Sequence, residues 1–183
     1  MKIVKYGDGA SARPHEDFLI ANSARLFIGG AVKLSSGKLE ALEANDAMYG
    51  ICVGFVGKGN APVSSVTHGG SYTSGVEFTA ASDNETDAGI RAKVVPVMPN
   101  DVIRMEGDSS TATTASTTIG NYVAVPTGGA ATANVSKFEV GAAVTAYNSA
   151  TGSQFLITDV PSGPGNFVDA KLIKGQIFGR HSI

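Results

Sequence analysis

Apolar and polar residues alternate along most of this chain in short runs, separated by glycine, serine and threonine. Val32 and Leu34 flank Lys33, the period-two signature of a half-buried strand. Ser35-Ser36-Gly37-Lys38 follows as a hairpin turn, with Gly37 free to take a positive φ. Residues 38–44 (KLEALEA) are the one good helix-forming run, but so short a helix is marginal alone, so a strand is expected. Residues 49–56 are the clearest core strand. There Tyr49, Ile51, Val53 and Phe55 should share one face, opposite Gly50, Cys52, Gly54 and Val56. That second face is nearly bare, so a second sheet, a helix or a barrel corner must approach it closely.

Further strands are predicted at Val76–Thr79, 91–98, Val102–Glu106, 138–140, 142–147, 154–159 and 166–178. Residues 57–75 read as a long loop, 83–89, 99–101 and 161–165 as turns, and 109–118 as a Ser/Thr/Ala loop. Many short strands and no long amphipathic helix predict an all-β fold. It is a β-barrel or sandwich of short strands with long Gly/Ser/Thr loops.

Residues 1–25 differ from the rest. Gly7-Asp8-Gly9 and Arg13-Pro14-His15 interrupt regular structure, so this segment reads as an extended N-terminal arm whose start forms a strand. Residues 26–183 are then a single all-β domain. The run Ile28-Gly29-Gly30-Ala31-Val32-Lys33-Leu34-Ser35-Ser36-Gly37 is echoed by Ile119-Gly120-Asn121-Tyr122-Val123-Ala124-Val125-Pro126-Thr127-Gly128, 91 residues later. A fixed offset suggests internal duplication. It predicts that residues 32–34 and 123–125 occupy equivalent strands.

Composition narrows the function. The 183 residues suffice for one domain with its own core. They are 43% hydrophobic and only 16% charged, against about 25% charged in ordinary chains. Neutral polar residues must cover the surface, which suits assembly. The net charge of −2 and the lack of a Lys/Arg cluster argue against a nucleic-acid partner. The apolar runs are far shorter than the ~20 residues that span a bilayer, so no membrane partner is expected. The single Cys52 excludes an intrachain disulfide. The first residues carry no apolar signal segment, which suggests synthesis and folding in a cytoplasm.

Each candidate for chemistry fails at a named position. His15, His68 and His181 are scattered, with no carboxylate or thiol at ligand spacing. Asp83-Asn84-Glu85-Thr86-Asp87 opens like a calcium loop, but Ala88 and Val94 stand where glycine and glutamate are needed. Ser35-Ser36-Gly37-Lys38 fits Ser-x-x-Lys without its partner motifs. No catalytic residue, metal site or cofactor is therefore expected, and the chain does not read as an enzyme.

Two stretches carry a resemblance. Gly30-Ala31-Val32-Lys33-Leu34-Ser35-Ser36-Gly37-Lys38-Leu39, followed by Tyr49-Gly50-Ile51-Cys52-Val53-Gly54-Phe55, resembles the head decoration (cement) proteins of tailed bacteriophages. Val94-Val95-Pro96-Val97-Met98-Pro99-Asn100-Asp101-Val102-Ile103 is similar in style. The resemblance implies an all-β virion structural protein without catalysis, on the capsid exterior, often a homotrimer, with the major capsid protein as partner. The arm suggests strand addition, so the expected contact residues are Lys2, Ile3, Val4, Lys5, Tyr6 and Phe18, with the loops near His68 and Thr113. A tail or head-fibre subunit is the nearest alternative. A small hydrolase or ligand-binding β-barrel is the alternative from another class.

Overall fold

In the computed structural model, residues 1–43, 46–63, 67–68, 76–106, 119–123, 155–161 and 167–173 are described. They form three antiparallel sheets. The first runs, in spatial order, β1 (Lys2–Lys5), β10 (Val102–Glu106), β13 (Phe167–Leu172), β12 (Phe155–Asp159) and β11 (Tyr122–Val123). The second runs β2 (Glu16–Leu19), β9 (Arg91–Pro96), β6 (Gly50–Val56), β4 (Ala31–Ser35) and β5 (Lys38–Ala41). The third, smaller sheet is β3 (Arg25–Phe27), β8 (Val76–Thr79) and β7 (Thr67–His68). The fold is all-β, as the alternation predicted. Of the two architectures expected, packed open sheets are found and not a closed barrel.

Alternation builds the layers. In the second sheet Ala31 and Ile51 point one way, into a cluster with Ile103, Phe155, Ile157 and Val168 of the first sheet. Their neighbours Val32 and Cys52 point the other way, into a cluster with Leu26 and Phe78 of the third. The middle sheet is thus covered on both faces by apolar side chains, which is the main stabilisation available to so uncharged a chain.

Residues 38–41 do form a strand. β4 and β5 make a hairpin with Ser35 opposite Lys38. Ser36 (φ 50°) and Gly37 (φ 79°) both take the left-handed conformation that a two-residue hairpin loop requires.

The face assignment in β6 needs correction. Cys52 pairs with Val94 and Gly54 with Lys93, so Val53 is an extra residue in a β-bulge. The bulge resets the alternation. Ile51, before it, joins the first-sheet cluster, Val53 is 43% exposed, and Phe55, after it, packs on the third-sheet cluster; Tyr49 precedes β6 altogether and lies in that third-sheet cluster independently of the bulge. The four do not share a face. The close approach expected at the bare positions occurs at Gly50 alone, where a Cβ would lie 2.5 Å from both Val94 Cγ1 and the Val95 carbonyl oxygen. The neighbour is the adjacent strand β9 and not another layer.

Residues 1–25 are stitched into the domain. They supply β1, β2 and the start of β3, and so reach all three sheets. β1 pairs with β10 and β2 with β9. The chain therefore passes between the first two sheets twice, at residues 6–15 and 97–101. A buried ion pair fastens the two crossings. The Arg13 guanidinium donates to both Asp101 oxygens, Nη2 to Oδ1 at 2.9 Å, and also to Asp8 at 2.8 Å. Asp101 is fully buried and also accepts from the Gly7 and Met98 amides, each at 2.8 Å. Gly7 must be glycine here, because a Cβ would sit 2.7 Å from the Asn100 carbonyl carbon.

The duplication does not extend to the pairing. β11 neighbours β12, and β12 shifted back by 91 residues falls on 64–68. The described part of that segment, β7, pairs with β8 in the third sheet, whereas β4 pairs with β5 and β6. Residues 124–125 and the predicted strands at 138–140 and 142–147 lie outside the described residues.

Candidate functional site

Among the described residues an apolar concavity opens where the first two sheets separate at one edge. It holds about 330 Å³ between β1 on one side and β6 with the turn at Ile28-Gly29 on the other. Local geometry explains each wall. Gly29, at φ 83°, turns the chain from β3 into β4, and its amide donates to the Cys52 carbonyl at 2.7 Å. That turn leaves Ile28 37% exposed. The bulge in β6 turns Val53 outward. On the facing strand a second irregularity, between Ile3 and Lys5, leaves Val4 as the extra residue and 39% exposed. Each of the two sheets thus carries a bulge with an exposed valine; Val53 lines the opening and Val4 lies on the strand that forms its other wall.

The lining is apolar. Ile3, Tyr6, Ile28, Ile51, Val53 and Val95 contribute, and the charged lining groups are the Lys2 side chain and the Met1 ammonium. Ile3 and Ile51 connect the cleft floor to the cluster between the sheets. Met1 N donates to the Gly29 carbonyl at 2.9 Å and bridges the two walls.

The expected contact residues divide. Lys2, Ile3 and Tyr6 line the cleft, and Val4 and Lys5 are exposed on the strand that forms its wall. Tyr6 is half-buried, with the Arg13 guanidinium 4.9 Å from its ring centre. Phe18 lies elsewhere. It sits on β2 and packs edge-on against Tyr49 at 5.2 Å, with the third-sheet cluster. The side chain of His68 and all of Thr113 lie outside the described residues. Ile28, Val53 and Val95 escaped the sequence reading. Gly29-Gly30 beside Ile28 was the available signal of a sharp turn. The bulge at Val53 has no sequence mark.

Several polar groups are engaged within the fold. Burial pushes the Cys52 thiol up to about 12, only partly offset by its contact with the Gly54 carbonyl. Burial, and then the Glu16 carboxylate, raise the Tyr49 hydroxyl well above its usual range. Asn84, in the calcium-like run, is fully buried and spends its amide on the backbone of Ile20 and Ile90. Glu85 bonds Lys38 and the Asn22 amide. Lys38 of the Ser-x-x-Lys sequence is therefore an ion-pair partner in a hairpin. Among the described residues no three His, Cys, Asp or Glu side chains converge as a metal site would require. No helix among them is long and apolar enough to cross a membrane.

These features define the class: an all-β protein of stacked antiparallel sheets with an apolar cleft at an open edge. No family model matches the chain, and no curated protein or solved structure matches it either.

Proposed function

We propose that this protein is a non-enzymatic decoration protein on the exterior of a phage head, bound to the major capsid protein and stabilising contacts between its subunits. The observation that carries the reading is the apolar cleft at the sandwich edge, with Ile28, Val53 and the adjacent Val4 all more than a third exposed. Exposed apolar side chains gathered at one opening are what a contact surface presents. The low charge of the chain supports the same reading, because an assembly surface loses little when few ionic groups must be desolvated. A homotrimer closed by rotational symmetry is the assembly proposed, and light scattering would measure it.

The test is binding to expanded heads assembled from the major capsid protein of the same virus. The protein should co-sediment with these heads and raise the temperature at which they disrupt. Failure to co-sediment with correctly expanded heads would sink the reading. Removing residues 1–20 is not a usable control, because it deletes strands from both main sheets. Single substitutions in the cleft replace it.

A further inference from the structure

Beyond the reading of the protein as a virion component lies the question of what fills the cleft. We propose that it takes an extended segment of a partner protein, laid beside β1, with apolar residues at alternate positions and carboxylates between them. The partner's place in a capsid rests on the decoration reading; the chemistry of the cleft does not.

Three observations define the occupant. First, β1 is an edge strand. β10 covers one side of it, and among the described residues no strand pairs with the other. Such an edge offers main-chain groups to an incoming strand. Second, the cleft beside that edge is apolar down to Ile3 and Ile51, which belong to or pack on the cluster between the sheets. An incoming strand that placed every second side chain there would extend this core, while its other side chains faced solvent and the rim. Third, the rim is positive. Lys2 and Lys5 are exposed, neither has an ion-pair partner among the described residues, and no carboxylate lines the cleft.

The same lysines argue against a second copy as occupant. Pairing β1 with β1 would bring like charges together across the new ladder, which is destabilising. The bulge at Val4 further interrupts a flat, self-complementary edge. A segment carrying glutamate or aspartate meets the opposite situation and gains at each lysine.

The probe is a short acetylated peptide alternating valine and glutamate, with a fluorophore, titrated with the whole protein and followed by anisotropy. A second peptide carries lysine in place of glutamate. The acidic peptide should bind saturably. It should lose about tenfold in affinity on Lys2→Glu/Lys5→Glu, as expected for two exposed charge pairs, while the basic peptide gains. Val53→Glu and Ile28→Glu change exposed positions, so both variants should keep the native melting temperature yet lose the acidic peptide. No saturable binding, or binding indifferent to Val53→Glu, overturns the proposal. So does a concentration-dependent dimer that Val53→Glu abolishes, since the occupant would then be a second copy. Heads separate the two readings. If Val53→Glu binds heads as the parent does, the cleft is not the contact and this proposal fails alone. If the parent binds the peptide but no heads, the decoration reading fails and the cleft assignment stands.

Discussion

At the residue scale, the side chains that matter most are those that leave water. Asp101 is the clearest case. It has no exposed side-chain surface, and it holds Arg13 together with the amides of Gly7 and Met98. Asp101→Asn would remove the counter-charge from a guanidinium that is only 9% exposed. Breaking one partner of a buried pair costs more than the pair itself contributes, so a loss of about 3 kcal/mol is expected in urea unfolding. A change below about 1 kcal/mol would mean that Asp8 alone satisfies Arg13. Cys52 makes the opposite point. Its thiol is buried and held up to about 12, so it stays protonated near neutral pH. Ellman's reagent should find almost no thiol in the native protein and one per chain after denaturation. Rapid native labelling would show that the strand opens locally. The burial of Cys52 was legible in the sequence, because an apolar run surrounds it. Nothing in the sequence announced the Arg13–Asp101 pair, whose members lie far apart along the chain.

At the scale of elements, alternation was a good guide wherever pairing is regular. β9 shows the pattern in full, with Ala92 and Val94 buried between more exposed neighbours. β4 and β5 follow it as well. The guide failed at β6 because period two survives only while no residue is added. One bulge residue, Val53, reverses the face of everything after it. The cleft was half visible for the same reason. β1 could be marked from its residues, but its facing wall arises from that bulge and from the turn at Gly29. Partnership was not readable either, since strand patterns do not say which strand lies alongside. The β6–β9 pairing gives the sharpest test. Gly50 has no room for a methyl group, with Val94 Cγ1 and the Val95 carbonyl oxygen at 2.5 Å from a Cβ. Gly50→Ala must push β9 away from β6 and should cost about 1–3 kcal/mol. Gly54→Ala, whose Cβ would find only the Lys93 side chain at 4.0 Å, is the control and should change stability far less. Equal losses at the two positions would place the strain elsewhere.

At the scale of the whole molecule, three stacked sheets are tied by crossings and loops whose polar contacts include partly exposed ion pairs, and these should set the acid limit of stability. Hydrogen bonds from Arg13, and then from the Ala10 amide, hold the Asp8 carboxyl below its usual 3.8. Lys38, and then the Asn22 amide, hold Glu85 below its usual 4.5. In both cases the folded carboxyl is the stronger acid, so the unfolded chain binds more protons as the pH falls. The contribution to stability is therefore complete above the ordinary values and is lost as the pH drops through the lower, folded ones. Melting temperatures measured from neutral pH down to about 2 should hold level and then fall. Asp8→Asn and Glu85→Gln should each melt lower on the plateau and fall less steeply in acid, and the double variant should combine the two effects because the pairs share no partner. Because Asp8 is more than half exposed, added salt should shrink the effect at its position. If both variants trace the parent curve point for point, these carboxylates do not set the acid transition.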